Sequence, residues 1–308
     1  MAKTFKFDKN KNIKPVMKGL QAHVPAKVIS DYRNRLVNLT KRMTSDTEKQ
    51  IKQLFNSRVS TKYFKKTDQQ VNDAEKSSKD LVIAYDESIA STAKRLMSLL
   101  NKKYSKIFKE KADIYANDMV ADLTAQSHSY VKRSLKQLSG GLVIKAPKST
   151  AIIDEATAAI IQQNIELITS IPEEYLKNVQ GDMMRSIASG NLEDLNDIVS
   201  PNAAVSTRKA NNKAKHLAED QVRKSYNAIT AHRLINNGID KFEWLHSGGG
   251  QHPRQDHIDM DGNIYSFKDL PIIDQRTGET GIPGQAINCR CTMNPVVEFS
   301  DNEIEEAA

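Results

Sequence analysis

Cysteine is nearly absent from this chain: among 308 residues there are two, Cys289 and Cys291. A pair split by a single residue closes no useful loop, so a disulfide scaffold is excluded. The scarcity points to an intracellular start. Aromatic residues make up 6% of the chain and hydrophobic residues 39%, which is lean but richer than a disordered chain. No run approaches the ~18 consecutive apolar residues of a transmembrane helix, so no membrane contact is expected. Met1 to Lys18 has no apolar core of the kind a secretory signal needs. Catalytic signatures are missing as well. Gly248-Gly249-Gly250 is followed by neither Lys-Ser/Thr nor a helix start, so it is no phosphate loop. Neither His-Glu-x-x-His nor Gly-x-Ser-x-Gly occurs. Asp256, Asp259 and Asp261-Gly262 lack the downstream ligand spacing of a calcium loop.

What is present is basic charge, unevenly spread. The formal net charge is +7. Residues 1–150 hold 31 basic and 14 acidic side chains, net +17, and residues 151–308 hold 14 and 24, net −10. Such a split suggests two regions with different partners, the basic one facing nucleic acid.

The punctuation divides the chain. Residues 1–24 carry Lys3, Lys6, Lys9, Lys11, Lys14 and Lys18 and read as a mobile basic arm. Residues 25–145 read as an elongated helical region. Pro25 suits a helix start, and Val28, Tyr32, Leu36, Leu39 and Met43 recur on one helical face. A polar break is expected over 58–78. A second stripe runs through Ala93, Leu96, Leu100, Tyr104, Ile107, Ile114, Met119 and Leu123. The absence of Pro and Gly from 67 to 138 favours one very long helix or a helical hairpin. A linker covers 145–149. The segment 150–299 reads as a compact domain: a helix over 150–171, a shorter one from Pro172, a small helix and loop over 191–205, and a helix over 207–236. Asn236-Asn237-Gly238 stops the last of these. Strands are expected at 239–245, 263–267 and 291–299, with loops over 269–288, and 300–308 is an acidic tail. The fold class is mainly α, with a small C-terminal α+β module built on an antiparallel sheet.

Two groups of side chains carry chemistry. His252, His257, Cys289 and Cys291 are borderline-soft ligands, and such a set suits a structural zinc site. The Cys-x-Cys spacing is tighter than zinc sites usually show, and the bland alternative is that small thiols pack in a core. A thiol hydrolase is disfavoured. In an alternating strand both thiols face one side and Arg290 the other, which fits packing or metal better than nucleophilic attack. The second group is Lys102, Lys103, Lys106, Lys109, Lys132, Arg133 and Lys136 on helix. These can neutralise phosphates without reading sequence, although no base-reading module accompanies them.

The order of motifs from Ala218 onward then becomes informative. Ala218-Glu219-Asp220-Gln221 opens a helix motif, Trp244 lies in a strand, and Arg254-x-x-His257 follows. Asp261-Gly262 makes a turn, and Gln285-Ala286-Ile287-Asn288 leads into Cys289-Arg290-Cys291. This run resembles the phage head-morphogenesis family, the minor head proteins related to protein F of phage Mu, and the likeness covers roughly 150–299. Two departures stand out. Glu219, Asp220 and Gln221 replace the family's Arg-Thr-Glu, and no His precedes Cys-Arg-Cys.

The resemblance implies a non-enzymatic component of a tailed-phage virion. It would lie inside the head near the portal and in the host cytoplasm during assembly. It would act with the portal and with the major capsid or scaffold protein in head assembly, and in packaging or delivery of phage DNA. It further implies that Trp244, Arg254, His257, Asp261, Gly262, Cys289, Arg290 and Cys291 fix the fold of the small sheet and its loops. The competing readings are a non-specific nucleic-acid-binding protein and, behind it, a toxin-type or thiol enzyme. No cofactor is expected beyond the candidate zinc.

Overall fold

The computed structural model describes residues 16–67, 89–139, 150–188, 195–249 and 253–298. Among these, five helices and six strands form: β1 (Val16–Lys18), α1 (Ala26–Thr67), α2 (Ile89–Leu138), α3 (Ala151–Ala188), α4 (Leu195–Asn236), β2 (Lys241–Leu245), α5 (Gln255–Asp259), β3 (Ile264–Ser266), β4 (Ile272–Asp274), β5 (Glu279–Thr280) and β6 (Thr292–Glu298). The mainly helical class with a small antiparallel sheet is the one the periodicity predicts. The chain divides into two compact units. One comprises Met1–Arg33, Ile114–Asn164 and His216–Ala308, the other Asn34–Asp113 and Ile165–Lys215.

Helices run further than their punctuation suggests. The break expected from residue 58 does not begin there, because α1 is helical to Thr67. Residues 58–67 contain no Pro or Gly, so nothing in the backbone stops propagation. Likewise α3 passes through Pro172. Proline costs the carbonyl of Ile168 its helical donor, yet Ile168, Ile171, Tyr175 and Leu176 are all buried around it. Just ahead of the proline, Thr169 Oγ1 donates to the Ile165 carbonyl and Ser170 Oγ to that of Leu167. α4 is a single helix from Leu195 where a small helix and loop were expected. In α2 the buried stripe is Ala93, Met97, Leu100, Tyr104, Phe108, Ala112, Ala116, Met119 and Leu123, while Ile114 is 48% exposed. Small side chains hold positions that apolar bulk would have marked.

The stop after α4 follows the expected chemistry. Gly238 has φ +82, its N–H donates to the Ile235 carbonyl at 2.9 Å, and Ile239 N–H donates to Leu234 at 3.0 Å. This is the paired 5→2 and 6→1 closure of a Schellman motif, with Leu234 and Ile239 both buried as its apolar contact.

All of the main sheet lies in the first unit, in the order β1-β6-β2-β3, with every pairing antiparallel. The end of the segment expected to be a mobile basic arm is therefore part of this sheet. Val16–Lys18 pair with Val296–Glu298, and residues 1–15 lie outside the described residues. Gly19 N–H donates to the Pro295 carbonyl at 2.8 Å. Proline offers no N–H in return, so the β1 ladder ends there. Leu20 is then gripped on both sides, its N–H donating to Ser134 Oγ and its carbonyl accepting from Tyr130 OH. Lys18 reaches the buried Glu243 carboxylate, which also accepts from Asn294 Nδ2 at 2.9 Å. Lys18→Met is expected to cost about 1–2 kcal/mol in a urea titration, because a buried carboxylate loses its cation while Asn294 and some water remain. A change below about 0.3 kcal/mol would show the arm contributes nothing to the sheet.

Candidate functional site

The site grows from the end of β2. Phe242, Glu243 and Trp244 are all buried, so both faces of this strand are covered. The Asp261-Gly262 turn seals its end. Gly262, at φ +78, donates its N–H to the Trp244 carbonyl, and Trp244 N–H donates to the Asn263 carbonyl. Asp261 Oδ1 accepts from His246 N–H at 2.8 Å. Both motif residues thus engage the end of β2, one through its backbone and one through a carboxylate–amide bond.

Trp244 is fully buried and stands edge-on to His257, with ring centroids 5.1 Å apart. His257 sits on the short helix α5 with only 3% exposure. Its Nε2 lies 3.0 Å from the Ile273 carbonyl. A carbonyl only accepts, so Nε2 carries the proton. That leaves Nδ1 facing two sulfurs, Cys289 Sγ at 3.3 Å and Cys291 Sγ at 3.6 Å. The two cysteines precede β6 rather than lying in it. Both are buried while Arg290 between them is exposed, so the alternation expected of a strand holds just outside it.

Local backbone chemistry aims the thiols. Asn288 adopts φ +59, a left-handed conformation that Asn tolerates better than most residues. Its N–H donates to Asp220 Oδ1 at 2.7 Å, and Asp220 pairs with Lys224. Asn227 Nδ2 donates to the Pro283 carbonyl at 2.9 Å. Cys291 N–H donates to Cys289 Sγ at 3.4 Å.

The electrostatics follow the contacts. The Cys289 thiol is pulled well below its ordinary range, first by the Cys291 thiol donating to it and then by His257, against the opposing effect of burial. Cys291 is pushed up, because its proton is held by Cys289 and its surroundings are apolar. His257 is raised, mainly by the Cys289 sulfur, with the Ile273 carbonyl helping and burial opposing.

The remaining expected residues fall in different places. Arg254 Nη1 donates to the Ile287 carbonyl at 3.0 Å, so it ties the start of α5 to the loop before the cysteines. Arg290 lies within electrostatic range of Arg223. His252 lies outside the described residues, as do the 145–149 linker and the acidic tail. Lys102, Lys103, Lys106 and Lys109 are exposed on α2 in one unit, and Lys132, Arg133 and Lys136 are exposed on α2 in the other. Lys103 is already engaged, with Nζ 2.7 Å from Asp46 Oδ2. The sequence reading missed the supports of the site. Asp220 and Asn288 stood inside the motif without a role, and the Ile273 carbonyl and Asn227 gave no signal.

Residues 177–294 match a family model described as "Phage Mu protein F like protein", so this segment is related to those proteins. The chain is also 29% identical over 218 residues to an uncharacterized protein of Haemophilus influenzae. That match covers 71% of this chain and 46% of the relative, so the chain spans about half the length of the curated protein it resembles. No solved structure matches significantly.

Proposed function

From the relation of residues 177–294 to phage Mu protein F-like proteins, we propose that this chain is a minor head protein of a tailed phage. It acts without catalysis, in head assembly with the portal, and resides in the head near that portal. The family relation is the observation that carries the reading. The site geometry supports it, since Trp244, His257, Asp261, Gly262, Cys289 and Cys291 are all engaged in holding strands and loops together. The partners are the portal and the major capsid or scaffold protein. Among the described residues, no helix is long and apolar enough to cross a membrane.

A specific observation favours phage DNA as a further contact. Lys102, Lys106 and Lys109 are exposed on α2, and their 4-and-3 spacing sets them on one helical stripe. Such a stripe meets phosphates without reading bases.

Co-expression of the tagged chain with the portal protein of the same phage tests the reading. The expected result is capture of the portal oligomer at moderate salt after nuclease treatment. Capture of nucleic acid alone, with no portal retained, would replace the assembly role with a general nucleic-acid-binding one.

A further inference from the structure

His257, Cys289 and Cys291 converge more closely than packing requires. Their ligand atoms all lie within 4.8 Å of one another, and all three residues are buried. Tetrahedral zinc with Zn–S near ~2.3 Å and Zn–N near ~2.0–2.1 Å places each sulfur about 3.6 Å from the nitrogen. The observed Nδ1–Sγ separations are 3.3 and 3.6 Å, so the imidazole nitrogen already stands within a few tenths of an ångström of that spacing from each sulfur.

The surroundings point the same way. A metal-binding imidazole ordinarily donates its other N–H to a carbonyl or carboxylate, which fixes the ring. His257 does this through Nε2 to Ile273. Cys289 Sγ already accepts a backbone N–H from Cys291. The indole N–H of Trp244 is buried with no hydrogen-bond acceptor, an orphaned donor of the kind that costs stability unless something answers it. Its ring stands edge-on to His257, with centroids 5.1 Å apart, so this unanswered donor belongs to a side chain that walls the cluster. The tight Cys-x-Cys spacing ceases to be an obstacle because left-handed Asn288, held by Asp220, turns the chain so that both sulfurs meet one imidazole.

We propose that His257 Nδ1, Cys289 Sγ and Cys291 Sγ bind a single zinc ion that ties α5 to the segment entering β6. Among the described residues no other His, Cys, Asp or Glu joins this group. The fourth position is left to water. The ion has a structural role: it cross-links a five-residue helix and the loop that enters β6.

The test uses the full chain, loaded with zinc under reducing conditions, desalted and analysed for metal. About one zinc per chain is expected. After a strong chelator, reconstitution with Co²⁺ should give intense visible bands and a thiolate-to-cobalt charge-transfer band, the signature of tetrahedral thiolate ligation. Cys289→Ser and His257→Gln, with helical circular dichroism retained, should each lower zinc affinity at least about 100-fold. Zinc below a tenth of an equivalent after loading would overturn the proposal, as would unchanged affinity in both variants. Should the variants fail to fold, the cobalt spectrum of the unaltered chain decides, and absence of the charge-transfer band overturns the site.

Discussion

Replacing Trp244 with alanine is expected to remove about 3–5 kcal/mol of stability, the range for a large buried aromatic. The side chain is fully buried. It packs edge-on against His257 and Tyr265, and its residue pairs in register with Met293 of β6. Truncation opens a cavity at the junction of β2, α5 and the Cys289–Cys291 segment, and none of these collapses easily because each is fixed by backbone hydrogen bonds. Trp244→Phe keeps much of the apolar volume and should lose less. A urea titration followed by far-ultraviolet circular dichroism measures both. Losses of similar size would mean that apolar volume alone does not account for what the indole contributes. A loss below about 1 kcal/mol for alanine would mean the site is not part of the core.

Gly284 gives the second large effect. Its φ is +84, and an added Cβ would stand 2.2 Å from Asn227 Nδ2 and 3.4 Å from the Cys291 carbonyl oxygen. Gly284→Ala meets a left-handed backbone and a contact no real side chain tolerates, so a loss of about 2–4 kcal/mol is expected. The clash and the conformational penalty can be separated. Asn227→Ala removes the neighbour, so in that background Gly284→Ala should cost only the conformational part, about 1–2 kcal/mol. Strict additivity of the two substitutions would show that the loop moves away and that Asn227 does not hold it.

Helical periodicity was legible where bulky residues mark the buried face. Val28, Tyr32, Leu36, Leu39 and Met43 are all buried, as their spacing requires. It was misleading where the buried residues are small, as at Ala112 and Ala116, because alanine gives no strong apolar mark. Pro172 suggested a boundary because its cost is local, whereas the burial that offsets it on both flanks is a tertiary fact. The three-residue strand β1 had no signal of its own, since its stability comes from partners far along the chain. The site shows the same division. His257, Cys289 and Cys291 were identifiable by side-chain chemistry and order. The Ile273 carbonyl that orients the imidazole was not, because any residue could supply it.

The pairing of Val16 with Glu298 also sets a timetable. On the ribosome, β1 emerges long before β6 exists, so the edge strand must wait unpaired while nearly all the helical residues are made. Contacts of such sequence separation form slowly and late in folding. Loss of the segment around Val16–Lys18 would also leave β6 with an unpaired edge, open to a strand from another chain. A segment that reads as a loose tether thus covers one border of the sheet.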